Sequence, residues 1–236
     1  MNLRRTASNL ALFALVSLGV VACRSAGTGG DARPEAPPAQ SQTQTTTGAP
    51  AAAHVVVGTD PGGVGRGTPL VAKPGRELAS FAGGCFWGVE DTFRQIPGVT
   101  ATAVGYTGGH TKNPTYPEVC THTTGHAEAV LVEFDPAKIT YAQLLDFFFQ
   151  NHDPTTMNRQ GPDIGDQYRS AVFTFSDAQA AAAKAGMTRA EARLKGKHVV
   201  TEVIPISAFY KAEDYHQQYD EKTGTHSCPI GLPQGT

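Results

Sequence analysis

The chain has 236 residues, a formal net charge of −2 at pH 7 and 40% apolar side chains. This length allows one good-sized domain with extensions, and the composition is that of an ordinary globular protein. The small net charge excludes the basic field that nucleic acid attracts, so we expect no nucleic-acid partner. Four cysteines are too few for a disulfide scaffold.

The first 23 residues predict an export signal. Arg4 and Arg5 precede an apolar run over residues 10–21, which is too short for a comfortable membrane span. The run ends in Val20-Val-Ala-Cys23, a pattern that resembles a bacterial lipoprotein cleavage site. We therefore expect lipidation of Cys23 and a membrane-anchored protein of the cell envelope or periplasm. An ordinary signal peptide with an incidental Cys23 is the alternative.

Three further regions follow the signal. Residues 24–75 are rich in Gly, Pro, Ala, Thr and Gln, so they predict a flexible tether. Residues 76–222 carry the periodic patterns of a folded domain. Residues 223–236 predict a mobile C-terminal tail that contains Cys228.

The folded region predicts alternating strands and helices. Strands are expected over 77–82, 98–105, 126–134, 167–175 and 198–204, and helices from residues 86, 140 and 177. The segments 106–124 and 224–236 predict coil. The order β-α-β-β-α-β-α-β predicts an α+β fold of the split βαβ (ferredoxin-like) type, a two-layer sandwich with long coil segments.

A cysteine stands at the first of these strand-to-helix turns, in Gly83-Gly-Cys-Phe-Trp-Gly88. The glycines allow a close approach of backbone to a ligand, and the positive end of the helix dipole favours a thiolate at Cys85. Phe86 and Trp87 would form an apolar wall beside it. A buried, inert cysteine is the alternative, but it rarely needs such a turn.

Several segments together resemble one enzyme family. The motifs are Gly84-Cys-Phe-Trp-Gly88, Gly105-Tyr-Thr-Gly-Gly109, Asn113-Pro-Thr-Tyr-Pro-Glu-Val-Cys120, Thr124-Gly-His-Ala-Glu-Ala129, Asn151-His-Asp-Pro154 and Asp166-Gln-Tyr-Arg-Ser170. In this order they are similar to the type A peptide-methionine sulfoxide reductases, over roughly residues 76–220. The resemblance implies the same sandwich core and the reduction of methionine S-sulfoxide in proteins and peptides.

Such a reaction needs a nucleophile for sulfur and an acid for oxygen. Cys85 is the expected nucleophile, and Glu128 is the expected acid. Glu128 shares strand parity with Val130 and Val132, so it should lie on an apolar face, where burial favours the protonated carboxyl group.

The resemblance also implies the substrate-binding residues. Phe86 and Trp87 would hold the S-methyl group, and Tyr116 and Tyr168 match tyrosines that hydrogen-bond the sulfoxide oxygen, although each could simply pack. Asp163 matches an aspartate that bonds substrate or water, but Ile164 stands where histidine often follows in the family.

Recycling of the oxidised enzyme requires a second thiol and a reductant. Cys228 is the expected resolving residue because it lies in a Gly- and Pro-containing tail, with Cys120 as the alternative. The resemblance implies a thioredoxin-like reductant and no cofactor. We expect a monomer that repairs oxidised exported proteins.

Three other functions are alternatives. Cys120, His122 and His126 could suggest a metal, but their spacing matches no closed zinc pattern. A cysteine hydrolase would need a histidine base beside Cys85. A lipoprotein that only binds peptides would show no turnover of methyl sulfoxides.

Overall fold

The computed structural model describes residues 57–65 and 69–225. The predicted signal peptide with Cys23, the predicted tether up to residue 56, and Cys228 lie outside the described residues. Among the described ranges, no helix combines the length and apolarity that a membrane span requires.

Eight strands and five helices are formed in this part of the chain. The strands are β1 (Glu77–Gly83), β2 (Val99–Thr107), β3 (Ala127–Phe134), β4 (Arg159–Gln160), β5 (Asp163–Ile164), β6 (Ser170–Thr174), β7 (Glu202–Pro205) and β8 (Phe209–Lys211). The helices are α1 (Phe86–Arg94), α2 (Tyr116–Val119), α3 (Tyr141–Gln150), α4 (Asp177–Arg193) and α5 (Tyr219–Thr223).

Six strands form one sheet in the order β7-β6-β1-β3-β2-β8, and β4 pairs with β5 in a separate hairpin. Within the inner four strands, β6-β1-β3-β2, each adjacent pair is antiparallel. Helix α1 connects β1 to β2, and α3 lies between β3 and β6 in the chain. This is the split βαβ arrangement, so the predicted fold class is confirmed. Strand β7 extends the sheet parallel to β6, and β8 extends it antiparallel to β2.

The two faces of the sheet are covered differently. Along β3, Val130 and Val132 pack in the larger core with the helices, while Ala129 and Leu131 pack on the opposite face. That opposite face is covered by coil residues such as Val64 and Leu70. Because side chains alternate along a strand, successive residues of β3 contribute in turn to the core on one face of the sheet and to the core on the other.

The longer helices begin where their caps predict. Thr140 and Gln143 form a reciprocal capping box at the start of α3, and Ser176 accepts the Gln179 N–H at the start of α4. The apolar face of α3 is buried, as the spacing of its apolar residues by three and four predicts, and consists of Tyr141, Leu144, Leu145, Phe148 and Phe149.

The expected strand over 167–175 is shorter than predicted. Asp166–Tyr168 instead forms a 3-10 turn, because the Tyr168 N–H donates to Gly165 O at 3.1 Å, and only Ser170–Thr174 is a strand. The expected strand over 198–204 is displaced to Glu202–Pro205. The N–H groups of Val199 and Val200 donate to Glu191 Oε1 and Pro154 O, so they are unavailable to a neighbouring strand.

Packing begins before the expected domain boundary at residue 76. The Gly58 N–H donates to Thr100 O at 2.8 Å, and Gly58 O accepts from the Thr102 N–H. The buried carboxylate of Glu133 accepts from the N–H groups of Gly62 and Lys73. Residues 57–65 and 69–75 are therefore held against the sheet, and not only tethered to it.

Candidate active site

The site lies at one end of the sheet. In the strand register, Gly83 pairs with Ser170 and Tyr106 pairs with Glu128. The end of β1, the start of β3, the end of β2 and the start of β6 therefore meet at this end. Cys85 follows β1 directly, so the topology places it beside the first residues of β3.

Cys85 occupies the turn between β1 and α1. It is half-buried and caps the helix with its backbone, since its carbonyl accepts the Val89 N–H. Gly84 has a φ of 102°, and a Cβ built there would lie 2.6 Å from Gln160 Cγ of the β4–β5 hairpin. Only glycine fits this turn without strain. The helix N-terminus beside the thiol favours its deprotonated form.

Glu128 lies next to Cys85 through a main-chain contact. The side chain is only 2% exposed, and its Oε2 accepts the Phe86 N–H at 3.2 Å. Phe86 is the first residue of α1 and directly follows Cys85. The carboxyl group is therefore held at the helix start, on the helix-covered face that strand parity predicts.

An aromatic wall stands beside these two groups. Phe86 is fully buried and Trp87 is half-buried. The Trp87 ring stacks on Tyr219 with centroids 3.9 Å apart and an interplanar angle of 11°. His216 contacts both Phe86 and Trp87, with ring centroids 5.1 and 5.5 Å away. Such a wall suits an apolar methyl group.

His216 is fixed as a neutral acceptor. Its Nδ1 accepts the Trp87 indole N–H at 3.0 Å, so its proton is carried on Nε2 in the neutral form. Burial lowers the pKa of His216 to about 4, although the neighbouring Glu213 opposes this shift. A base with this pKa and with Nδ1 occupied is poorly suited to activate a thiol, which disfavours the cysteine-hydrolase alternative.

Glu213 connects two tyrosines below the wall. It accepts the Tyr106 hydroxyl at 2.9 Å and the Tyr116 N–H at 3.0 Å. Burial by itself would raise the pKa of Glu213, but these hydrogen bonds and His216 lower it below its usual value. Burial, together with the neighbouring Glu213 carboxylate, raises the pKa of Tyr106, so its hydroxyl stays protonated.

The three remaining predicted residues lie around the same end of the sheet. The ring of Tyr116 meets His216 edge-on at 4.5 Å, so Tyr116 joins the aromatic wall. Asp163 is half-buried on the hairpin whose Gln160 contacts Gly84. Tyr168 is half-buried two residues before Ser170, the partner of Gly83. Their roles as substrate ligands stay predictions.

The residues of the metal alternative, Cys120, His122 and His126, lie in different surroundings. His122 Nδ1 bonds Gln167 Oε1, whereas His126 Nε2 bonds Thr111 O, and Cys120 is half-buried at the end of α2. Over residues 57–65 and 69–225, no group of three or more His, Cys, Asp or Glu is placed to hold a metal ion. Cys228, the predicted resolving residue, lies outside the described residues.

Sequence reasoning missed His216, Tyr219 and Glu213. All three follow β8, a three-residue strand that the sequence analysis did not predict. The one signal that could have found them is the dense run of polar and aromatic residues in Glu213-Asp-Tyr-His-Gln-Gln-Tyr219, which lacks the apolar periodicity of a simple helix or strand.

The geometry defines an α+β enzyme with a cysteine at a helix N-terminus, an adjacent buried acid and an aromatic wall. Comparison with known proteins agrees. The family model described as "Peptide methionine sulfoxide reductase" matches residues 77–235. The reductase MsrA of Methanosarcina mazei is 59% identical over 160 residues, covering 66% of this chain and 76% of that protein. Reductase A2 of Arabidopsis thaliana is 52% identical over 156 residues, covering 66% and 71%.

Solved structures show the same likeness. Reduced Mxr1 of Saccharomyces cerevisiae is 37% identical with a TM-score of 0.64, covering 67% of this chain and 92% of that one. Methionine sulfoxide reductase A of Corynebacterium diphtheriae is 34% identical with a TM-score of 0.62, covering 77% and 93%. The chain therefore belongs to the peptide methionine sulfoxide reductase family. It is an oxidoreductase that acts on methionine sulfoxide.

Proposed function

We propose that this enzyme reduces the S epimer of methionine sulfoxide, in proteins, in peptides and as the free amino acid, with Cys85 as nucleophile and Glu128 as acid. The observation that supports this most directly is the Phe86 N–H bond to Glu128, which holds an acid one residue from the thiol. The aromatic wall of Phe86 and Trp87 supplies an apolar surface for the substrate methyl group.

The first step transfers oxygen from substrate to enzyme. The Cys85 thiolate attacks the sulfoxide sulfur while Glu128 protonates the oxygen, which would otherwise be a poor leaving group. The hydroxyl group then moves from the substrate sulfur to the Cys85 sulfur, and the S–S bond formed in the attack breaks, which releases methionine and leaves Cys85 as a sulfenic acid. The substrate sulfur is reduced by two electrons, and the Cys85 sulfur is oxidised by two.

The second step restores the thiol. The Cys228 thiol attacks the sulfenic sulfur, water leaves and a Cys85–Cys228 disulfide forms. A thioredoxin or a thioredoxin-like dithiol then reduces this disulfide and becomes oxidised itself. The sum is methionine sulfoxide plus a dithiol giving methionine, a disulfide and water.

We further propose that the enzyme works outside the cytoplasm. Residues 1–23 support an export signal with lipidation of Cys23, which would anchor the protein in the cell envelope. Its substrates there would be oxidised exported proteins. The intact mass of the mature protein from its native membrane tests this, since diacylglyceryl and acyl additions on Cys23 have a defined mass, and an unmodified Cys23 would contradict the anchor.

The test of the activity uses two epimers and three proteins. With dithiothreitol as reductant, the wild type should reduce a methionine S-sulfoxide peptide and leave the R-sulfoxide peptide unchanged. Cys85→Ser should abolish the activity, while Cys120→Ser is the matched control and should retain it. Comparable rates on both epimers would refute the proposed specificity, and a tenth of the wild-type activity in Cys85→Ser would refute the nucleophile.

A further inference from the structure

The aromatic wall depends on a segment of chain far from α1 in sequence. Tyr219 stacks on one side of Trp87, and His216 accepts the Trp87 indole N–H. Both belong to the segment 216–219, which follows β8 and ends at the first residue of α5. Whatever holds this segment against α1 therefore sets the shape of the wall.

Residues at intervals of three and four along α1 contact this region in turn. Trp87, Glu90 and Arg94 lie on one face of the helix. Trp87 contacts Tyr219, Glu90 bonds Gln218, and Arg94 forms an ion pair with Glu221 at 2.7 Å. The central contact is buried, since Glu90 is 1% and Gln218 is 7% exposed.

The carboxylate of Glu90 binds Gln218 at two points. Glu90 Oε2 accepts the Gln218 backbone N–H, and Glu90 Oε1 accepts the Gln218 side-chain amide, each at 2.8 Å. The Thr102 hydroxyl also donates to Oε1 at 2.8 Å. Hydrogen bonds to a buried carboxylate are strong and directional, so the Glu90 carboxylate fixes both the main chain and the side chain of Gln218.

Gln218 requires such a constraint because its backbone is left-handed. Its φ is 48° and its ψ is 44°, a region that residues other than glycine rarely occupy unless the surroundings hold them there. This reversal of the chain separates His216 from Tyr219. Because of this reversal, His216 reaches the Trp87 indole N–H while Tyr219 covers the Trp87 ring.

Gln217 anchors the same segment to the sheet instead of the helix. Its Oε1 accepts the Val104 N–H, and its Nε2 donates to Val104 O and Ala212 O, all at 2.9 Å. Consecutive glutamines therefore attach the segment to β2 on one side and to α1 on the other. At the point where the chain reverses, the Glu90–Gln218 contact ties it to the helix that carries Trp87, and the Gln218 side-chain amide also donates to Thr102 O of β2 at 3.5 Å.

We propose that Glu90 is a positioning residue for the substrate pocket, which keeps His216 and Tyr219 against Trp87 by holding Gln218 in its left-handed conformation. The proposal rests on the proposed function, in which Trp87 borders the substrate methyl group. Glu90 does not touch the substrate. It acts through Gln218, and its loss loosens the wall without removing the nucleophile or the acid.

The test uses Trp87 as a reporter, because it is the only tryptophan in the chain. In Glu90→Gln one of the two accepting oxygens becomes an NH2 group, which faces an N–H donor of Gln218 and repels it. Gln218→Ala removes the bond from the side-chain amide and leaves Glu90 unchanged. Both variants should shift the Trp87 emission to longer wavelength and increase its quenching by acrylamide. With dithiothreitol and an S-sulfoxide peptide, both should raise KM by about tenfold and change kcat by less than about threefold.

A rescue variant and a matched control distinguish an effect of Glu90 on the position of the pocket residues from a general loss of fold stability. Glu90→Gln combined with Gln218→Glu exchanges the two groups, so the amide of residue 90 can donate to the carboxylate of residue 218, and KM and emission should return toward wild type. Glu133→Gln alters an equally buried carboxylate whose partners are Gly62, Lys73 and Thr100. It should lower the thermal midpoint and leave emission and KM unchanged.

The outcomes that overturn the proposal are specific. Unchanged emission and KM in folded Glu90→Gln would overturn it, and if that variant does not fold, the same result in Gln218→Ala would do so. A failed rescue would also overturn it, as would an equal emission change in Glu133→Gln. A wild type that reduces no methyl sulfoxide would refute the proposed function, while the fluorescence measurements would still decide whether Glu90 holds the wall.

Discussion

Glu128 Oε2 accepts the backbone N–H of Phe86 at 3.2 Å, although 42 residues separate the two in the chain. The bond ties the start of β3 to the start of α1. It also fixes the direction of a buried carboxyl group relative to Cys85, the residue before Phe86. A group that must donate a proton in a reaction needs this kind of positioning, because proton transfer depends on hydrogen-bond geometry.

Replacement of Glu128 by glutamine should slow oxygen transfer and leave binding nearly intact. Glutamine keeps an oxygen for the Phe86 N–H but has no acidic proton, so the single-turnover rate of methionine formation should fall by about 100-fold or more. Rapid-quench measurement of methionine released per enzyme tests this. Glu118→Gln, which changes an exposed carboxylate in the cap of α2, should behave as wild type. A rate for Glu128→Gln within threefold of wild type would exclude the role.

The emission of Trp87 should respond to pH through His216. Burial lowers the pKa of His216 to about 4, so the ring stays neutral until the solution is acidic. Protonation at Nδ1 would break the bond from the Trp87 indole, so emission should change with a midpoint near pH 4. His216→Phe should abolish this transition. His152→Gln changes another buried histidine whose pKa burial also lowers to about 4, and it should retain the transition. Loss of the transition in both variants would contradict the assignment to His216.

The same two histidines predict how stability depends on pH. Their folded pKa of about 4 lies below the usual value of 6.5, so between these values the unfolded chain binds protons that the folded chain does not. The free energy of unfolding should therefore rise with pH between about 4 and 6.5, by up to about 3 kcal/mol for each group. Urea unfolding at a series of pH values measures the slope. The slope should decrease in His152→Gln, and an unchanged slope would show that His152 does not contribute.

Gly84→Ala should damage the site more than its backbone strain explains. A Cβ at Gly84 would lie 2.6 Å from Gln160 Cγ, so the β4–β5 hairpin that carries Asp163 must move. Gly196 is also left-handed, with a φ of 81°, but a Cβ there meets nothing within 4 Å. Both variants should lose about 1–2 kcal/mol of stability from strain. Only Gly84→Ala should also raise KM for an S-sulfoxide peptide, and equal kinetics in the two variants would contradict the contact.

Cys228→Ser should separate the reduction of the sulfoxide from the recycling of the Cys85 thiol. It should release about one methionine per enzyme and then stop when thioredoxin is the reductant, whereas dithiothreitol should restore turnover. Cys120→Ser should cycle with either reductant. Peptide mapping of the substrate-oxidised enzyme should find a Cys85–Cys228 disulfide, and a Cys85–Cys120 disulfide would assign resolution to Cys120.

Local sequence patterns determined the main helices of this protein, the face of β3 that carries Glu128 and the position of Cys85. The capping residue Thr140 and the period of apolar residues predicted α3, and the capping residue Ser176 and an Ala-rich composition predicted α4, because helix starts and buried faces depend on neighbours within a few positions. Strand parity placed Glu128 on the helix-covered face for the same reason. The glycine turn before α1 placed Cys85 at a helix N-terminus from six consecutive residues.

Only the tertiary structure decided what surrounds the thiol. The Trp87–His216 bond joins residues 129 positions apart, and the Tyr106–Glu213 bond spans 107 positions. No periodic pattern encodes such a pairing, because it depends on where β8 attaches to the edge of β2. The short elements α2 and β8, with four and three residues, also lie below the length at which periodicity can be recognised. The sequence by itself therefore determined the fold class and predicted the nucleophile and the acid, while the packing of the chain end against α1 decided the walls of the pocket.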